Sequence, residues 1–135
     1  MVAGVHTAQQ RILLIDDDDL IAGSLRSYLV KNGCKVDVAL DVRDAERFLG
    51  DAAYDVIIVD PYLTGGIHHG NGDLLERVAR LQRGAVLFVL TAYSSPELAQ
   101  SAANCRAAAL LTKPQSVVHL DSLVRGASTN TRSFP

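Results

Sequence analysis

The chain is poor in the residues that would mark several common classes of protein. It has 135 residues but only two cysteines, Cys34 and Cys105, and no tryptophan. Two distant cysteines make neither a disulfide framework nor the paired spacing of a zinc site. A reducing cytoplasm is therefore the expected compartment. No apolar run approaches the ~18–20 residues that span a bilayer, so no membrane insertion is expected. The opening MVAGVHTAQQ lacks a basic stretch followed by an apolar one, and does not read as a secretory leader. Nor is there a surplus of positive charge: the net charge is −2, which gives no reason to expect nucleic-acid binding by this domain. Internal repeats and low-complexity tracts are missing too.

What remains is ordinary globular composition, 48% hydrophobic and 21% charged, at a length that suits one domain around one core. Residues 1–10 read as a frayed polar lead. Residues 126–135, GASTNTRSFP, read as a small-polar tail or the start of a linker. Between them, apolar runs alternate with helical spacing.

Three runs are short and continuously apolar: Ile12 to Ile15, Val56 to Val59 and Ala85 to Leu90. Such runs mark strands buried on both faces. Val36 and Val38 alternate with polar residues, as in a half-exposed strand, and Ala108 to Thr112 reads as a last short one. The apolar spacing of Leu20, Ile21, Leu25, Tyr28 and Leu29 predicts a first helix, stopped at Asn32-Gly33. A second helix carries Ala45, Phe48 and Leu49, with Asp41 or Asp44 near its start. Leu74, Leu75, Val78 and Leu81 mark a third, with Asn71 as its expected cap. Ser94-Ser95-Pro96-Glu97 opens a fourth: a serine cap, an early proline and a first-turn acid. Val117, Leu120, Leu123 and Val124 close the chain with a fifth. The glycine-rich stretch from Leu63 to Asn71 reads as a loop.

Five strands alternating with five helices predict an α/β fold: a single doubly wound parallel sheet. In such sheets ligands bind beyond the C-terminal ends of the strands. Those ends carry Asp16-Asp17, Asp60, Thr91 and Lys113. The stretch RILLIDDDDL sets like charges side by side where burial would disfavour them. Neighbouring strands lie ~4.8 Å apart, so carboxylates from the first and third strands can address one ion. An all-oxygen set suits Mg²⁺. A divalent cation, a lysine and a hydroxyl together describe a site for phosphoryl oxygens. Asp60 is then either a metal ligand alone or a nucleophile that becomes an aspartyl phosphate. Asp18 and Asp19 are better read as the solvated start of the first helix, favoured by its dipole.

IDDD at Asp16–Asp18, YDVIIVD ending at Asp60, VLTA ending at Ala92 and LLTKP ending at Pro114 resemble the receiver domain of two-component response regulators, over residues 11–125. The resemblance implies a flavodoxin-like, chemotaxis-regulator-like sheet of order 2-1-3-4-5. It also implies Mg²⁺ (or Mn²⁺) held by Asp16, Asp17, Asp60 and the Tyr62 backbone carbonyl. Asp60 is then the acceptor of a phosphoryl group from a sensor histidine kinase or phosphotransfer protein. Thr91 is the switch hydroxyl, followed by Ala92, and Lys113 pairs with the phosphoryl group. The Lys113-Pro114 bond is expected to be cis, and phosphorylation can be linked to dimerisation. Such a domain is a phosphoacceptor rather than an enzyme, apart from self-phosphorylation from small donors and self-dephosphorylation.

Three features depart from the family pattern. Pro61 follows Asp60 and has no amide to offer. The Asp60–Gly72 loop is longer than usual. Leu110 stands where an aromatic residue commonly reads out the switch. By the same resemblance, Tyr62 and Tyr93, two residues past Asp60 and Thr91, are expected to flank the path by which water would reach a phosphoryl group. His68 and His69 lie in a glycine-rich loop that offers no fixed third metal ligand.

Two other functions fit part of the pattern. Asp16, Asp18, Thr91 and Lys113 also resemble the core of a small haloacid-dehalogenase-type phosphatase, with Asp16 as nucleophile. Against it, only Asp121 follows Lys113 as a further acid, and no segment is left for a cap. A pseudo-receiver that binds partners without being phosphorylated is the other alternative, kept open by Pro61 and Leu110.

Overall fold

The computed structural model describes residues 9–63 and 70–132; the histidine pair His68-His69 lies outside them. In chain order the elements are β1 (Arg11–Ile15), α1 (Asp19–Lys31), β2 (Lys35–Ala39), α2 (Val42–Asp51) and β3 (Val56–Val59). They continue with α3 (Gly70–Leu81), β4 (Val86–Thr91), α4 (Pro96–Asn104), β5 (Ala109–Thr112) and α5 (Val117–Arg132). The strands form one parallel sheet in the order β2-β1-β3-β4-β5, as the resemblance implied.

Alternation along the buried strands feeds two separate cores. Leu13, Ile15, Ile57, Val59, Leu87 and Val89 turn to one face, where they pack with residues of α2, α3 and α4 such as Leu49, Leu75 and Leu98. Ile12, Leu14, Val56, Ile58, Phe88 and Leu90 turn to the other, against Leu25 and Leu29 of α1 and Leu120 and Val124 of α5. Burying an aliphatic side chain of this size contributes ~1.5–3 kcal/mol, so each face holds the sheet strongly.

The helix starts follow local chemistry. Asp18 caps α1 by accepting from the Ile21 amide, Asp41 caps α2 from Asp44, and Ser95 caps α4 from Leu98, with Pro96 in the first turn. Each side chain satisfies an amide the helix leaves without a partner. Gly33, at φ 95°, takes the left-handed turn that ends α1.

Four details differ from the reading of the sequence. Leu20 is 83% exposed, and Ala22 takes its place in the buried stripe with Leu25 and Leu29. The third helix begins at Gly70, so Asn71 lies inside it rather than capping it; a first turn without apolar residues leaves no periodic trace. The fifth helix continues to Arg132 instead of giving way to a tail at residue 126. Ala127 is buried and extends the stripe of Leu120 and Val124 by one more turn, but an alanine among small polar residues gives little signal. The half-exposed strand β5 starts at Ala109, one residue later than read.

Gln82 ties the far end of the sheet together. Its amide nitrogen donates to the carbonyls of Leu49 and Ala52, and its oxygen accepts from the Tyr54 amide. One buried side chain thus satisfies the exit of α2 and the approach to β3, groups that would be costly to bury unpaired.

Candidate functional site

Each strand that carries a site residue is zipped to its end by the sheet. The Asp16 amide donates to the Ala39 carbonyl (3.0 Å), the Asp60 amide to Ile15 (2.8 Å) and the Lys113 amide to Thr91 (2.8 Å). The backbone ladder therefore runs one residue past β1, β3 and β5, and fixes where these side chains begin. The Lys113-Pro114 peptide that follows is cis.

The side chains of Asp16, Asp60 and Thr91 then repeat one local device. Each accepts a hydrogen bond from the amide two residues further on: Asp16 Oδ1 from Asp18 (2.9 Å), Asp60 Oδ1 from Tyr62 (3.0 Å), Thr91 Oγ1 from Tyr93 (3.1 Å). Short oxygen-bearing side chains favour such turns. The turns hold three oxygens at the mouths of adjacent strands β1, β3 and β4.

Lys113 reaches across from β5. Its Nζ lies 2.8 Å from Asp16 Oδ2 and 3.0 Å from Asp60 Oδ2. Asp16 is 6% and Asp60 7% exposed, while Thr91 is fully buried. Burial raises the Asp16 carboxyl above the usual aspartate range, although Lys113 and the Asp18 amide pull it down. Burial also weighs against the charge on Lys113, yet its bonds to Asp16 and Asp60 outweigh this and raise its pKa. The lysine is thus a permanent cation between two carboxylates.

Sequence reasoning named all these residues, and the fold brings Asp16, Asp60 and Lys113 into direct contact. Asp17 is on the same strand end but its side chain is exposed. Among the described residues no three acidic, histidine or cysteine side chains converge on one point; Lys113 occupies the space between the two buried carboxylates. Tyr62 is half-buried and Tyr93 exposed, and their rings meet edge to face, with centroids 5.8 Å apart. Ala92 is exposed beside Thr91, while Leu110 is half-buried and packs on the core shared by α2, α3 and α4. The tyrosine contact and the three side-chain turns were not foreseen. The turns had a signal in the short oxygen-bearing residues at three strand ends, but the ring contact depends on the relative placement of two loops.

Comparisons with known proteins agree with this geometry. The family model of the response regulator receiver domain matches residues 12–125. Regulatory protein VanRB of Enterococcus faecalis is 33% identical over 104 residues, 77% of this chain and 46% of that protein. The chain spans about half or less of the length of the relatives it matches by sequence. Among solved structures, a CheY-like response regulator receiver domain protein from Methanospirillum hungatei JF-1 has a TM-score of 0.85 at 23% identity, covering 92% of this chain and 97% of that one. A response regulator protein from Burkholderia pseudomallei, solved with a phosphorylated aspartic acid, a calcium ion and citrate, has a TM-score of 0.77 at 26% identity. That match covers 93% of this chain and 72% of the other. The haloacid-dehalogenase reading gives way to this match, and the chain belongs to the response regulator receiver domains of two-component systems.

Proposed function

We propose that Asp60 accepts a phosphoryl group from a sensor histidine kinase or phosphotransfer protein, and that the modified domain changes its binding to a downstream partner. The observation that carries this is the meeting of Asp16, Asp60 and Lys113 at 2.8 and 3.0 Å on buried strand ends. An Asp60 carboxylate oxygen attacks phosphorus as the bond from phosphorus to the donor's imidazole nitrogen breaks. The Tyr62 amide already orients this carboxylate through Oδ1. Lys113 leaves Asp16 and follows the new negative charge onto a phosphoryl oxygen, and the Thr91 hydroxyl turns from the Tyr93 amide toward it.

The donor set is all oxygen, as Mg²⁺ or Mn²⁺ requires, and Mg²⁺ is commonly held by only one or two carboxylates plus phosphate oxygens. Asp16 and Asp60 already gather about one cation, the Lys113 ammonium. Asp16, Asp17, Asp60 and the Tyr62 carbonyl would hold the metal, which when bound neutralises the phosphoryl oxygens. The relative that carries a phosphorylated aspartic acid and a calcium ion supports both parts of the reading. Both cysteines are free thiols, in keeping with a cytoplasmic site of action. The activity expected of the domain itself is limited to self-phosphorylation from small donors and loss of its own phosphoryl group.

The test is intact mass after incubation with acetyl phosphate or phosphoramidate, with Mg²⁺ or with EDTA. Wild type gains one phosphoryl mass with Mg²⁺, whereas Asp60→Asn gains none and EDTA abolishes the gain. A wild type that gains no mass with any donor is a binding-only receiver. Sustained turnover of a chromogenic phosphate ester would instead show a phosphatase.

A further inference from the structure

The three side-chain turns at the strand ends do not lead to the same place. That of Asp16 ends at the Asp18 amide, where α1 begins under its own cap. Those of Asp60 and Thr91 end at the amides of Tyr62 and Tyr93, at 3.0 and 3.1 Å. The two tyrosine rings then meet edge to face, with centroids 5.8 Å apart. One contact thus rests on two anchors, and these anchors are the two groups that phosphoryl transfer alters.

Phosphorylation weakens the first anchor. Asp60 Oδ1 accepts from the Tyr62 amide, and a hydrogen bond to an ionised acceptor is roughly twice as strong as one between neutral groups. In the aspartyl phosphate the acyl group is uncharged. The negative charge lies on the phosphoryl oxygens, and the Tyr62 amide is drawn toward them. The second anchor is lost when Thr91 turns. Thr91 is fully buried and β-branched, so its side chain hops between staggered positions rather than tilting by degrees. A hop that brings Oγ1 to a phosphoryl oxygen takes it from the Tyr93 amide. The released residue faces solvent: Tyr93 is 69% exposed, whereas Leu110, on the strand leading to Lys113, is half-buried and packed on a core. An edge-to-face ring pair contributes too little to hold the two segments once both anchors have gone.

We propose that phosphorylation of Asp60 parts the Tyr62–Tyr93 pair, and that this opening is the change the domain presents to its partners. The inference rests on the reading of Asp60 as phosphoacceptor. The rings then stand on either side of the phosphoryl group instead of against each other.

The experiment is NMR of the 135-residue chain carrying isotope-labelled tyrosine, with intact mass measured on the same sample. Substitutions such as Tyr28→Phe assign the four tyrosines, Tyr28, Tyr54, Tyr62 and Tyr93. The unmodified protein gives a ring-to-ring cross-peak between Tyr62 and Tyr93, and Mg²⁺ alone leaves it in place. Acetyl phosphate with Mg²⁺ removes the cross-peak and shifts both amides in proportion to the phosphoryl mass gained, while the rings of Tyr28 and Tyr54 keep their positions. Thr91→Val keeps the shape of the side chain without its hydroxyl, and weakens the cross-peak before any donor is added. The proposal is overturned if the chain gains phosphoryl mass yet keeps the cross-peak, if Mg²⁺ alone removes it, or if Thr91→Val leaves it at full strength. A chain that gains no phosphoryl mass overturns the function proposed for Asp60, and this inference with it.

Discussion

The rings of Tyr62 and Tyr93 stand at 87° to one another, the edge of one against the face of the other. The amide of each is anchored to a group of the site, Tyr62 to Asp60 and Tyr93 to Thr91. The segments that follow β3 and β4 are thereby joined by a pair worth ~0.5–1.5 kcal/mol.

We predict that these rings flank the in-line path by which water would reach a phosphoryl group on Asp60. Neither side chain offers a carboxylate or amide suited to orient that water. We predict that phosphorylated wild type decays slowly, and that Tyr62→Asn and Tyr93→Ala each hasten decay by at least about threefold, less than 1 kcal/mol of barrier. Loss of phosphoryl mass with time measures this. If both variants decay no faster than wild type, the tyrosines do not shield the phosphoryl group.

Lys113 bridges two buried carboxylates, and its removal leaves them facing each other. Lys113→Ala should keep the fold but lose about 1–3 kcal/mol in EDTA, the range for hydrogen bonds to charged groups. Mg²⁺ should narrow the gap by taking over the lysine's electrostatic role. Urea unfolding with and without Mg²⁺ measures both effects, and equal stability of the two proteins in EDTA would falsify the first.

Tyr54 supplies a pH dependence. Its hydroxyl donates to Asp37 Oδ2 at 2.7 Å, and burial first, then that bond, raises its pKa. The unfolded chain releases this proton near pH ~10, while the folded chain keeps it to higher pH. The contribution to stability is therefore complete below pH ~10 and is lost as pH rises through the folded value. Tyr54→Phe should be less stable than wild type at pH 8 by about 1.5–3 kcal/mol, with the difference shrinking at pH 11. A difference that stays constant across this range would show that the phenol proton is not what the fold retains.

How far the sequence could be read depends on the kind of signal each residue leaves. Continuous aliphatic runs disclosed β1, β3 and β4, and the polar residue ending each run disclosed the site, because both follow from chain-local patterning. The polar starts of α1, α2 and α4 were similarly legible, but which residues cap them (Asp18, Asp41 and Ser95) was not. Ala22 and Ala127 were not, since an alanine is common on both sides of a surface. Leu20 misled because helical spacing fixes a direction but cannot show that nothing packs there. The bonds of Gln82 and the tyrosine contact join residues far apart in sequence, and only the fold brings them together.

The two faces of the sheet share their strands but no helix, so they are close to separate tenants of one wall. A substitution in α2, α3 or α4 repacks against Leu13, Ile57 and Val89 and leaves the α1 and α5 side with its own neighbours. Effects at such separated sites tend to add rather than compound. A lineage built on this chain could remodel one flank for a new partner, while the opposite flank continued to hold the strand ends where Asp16, Asp60 and Lys113 meet.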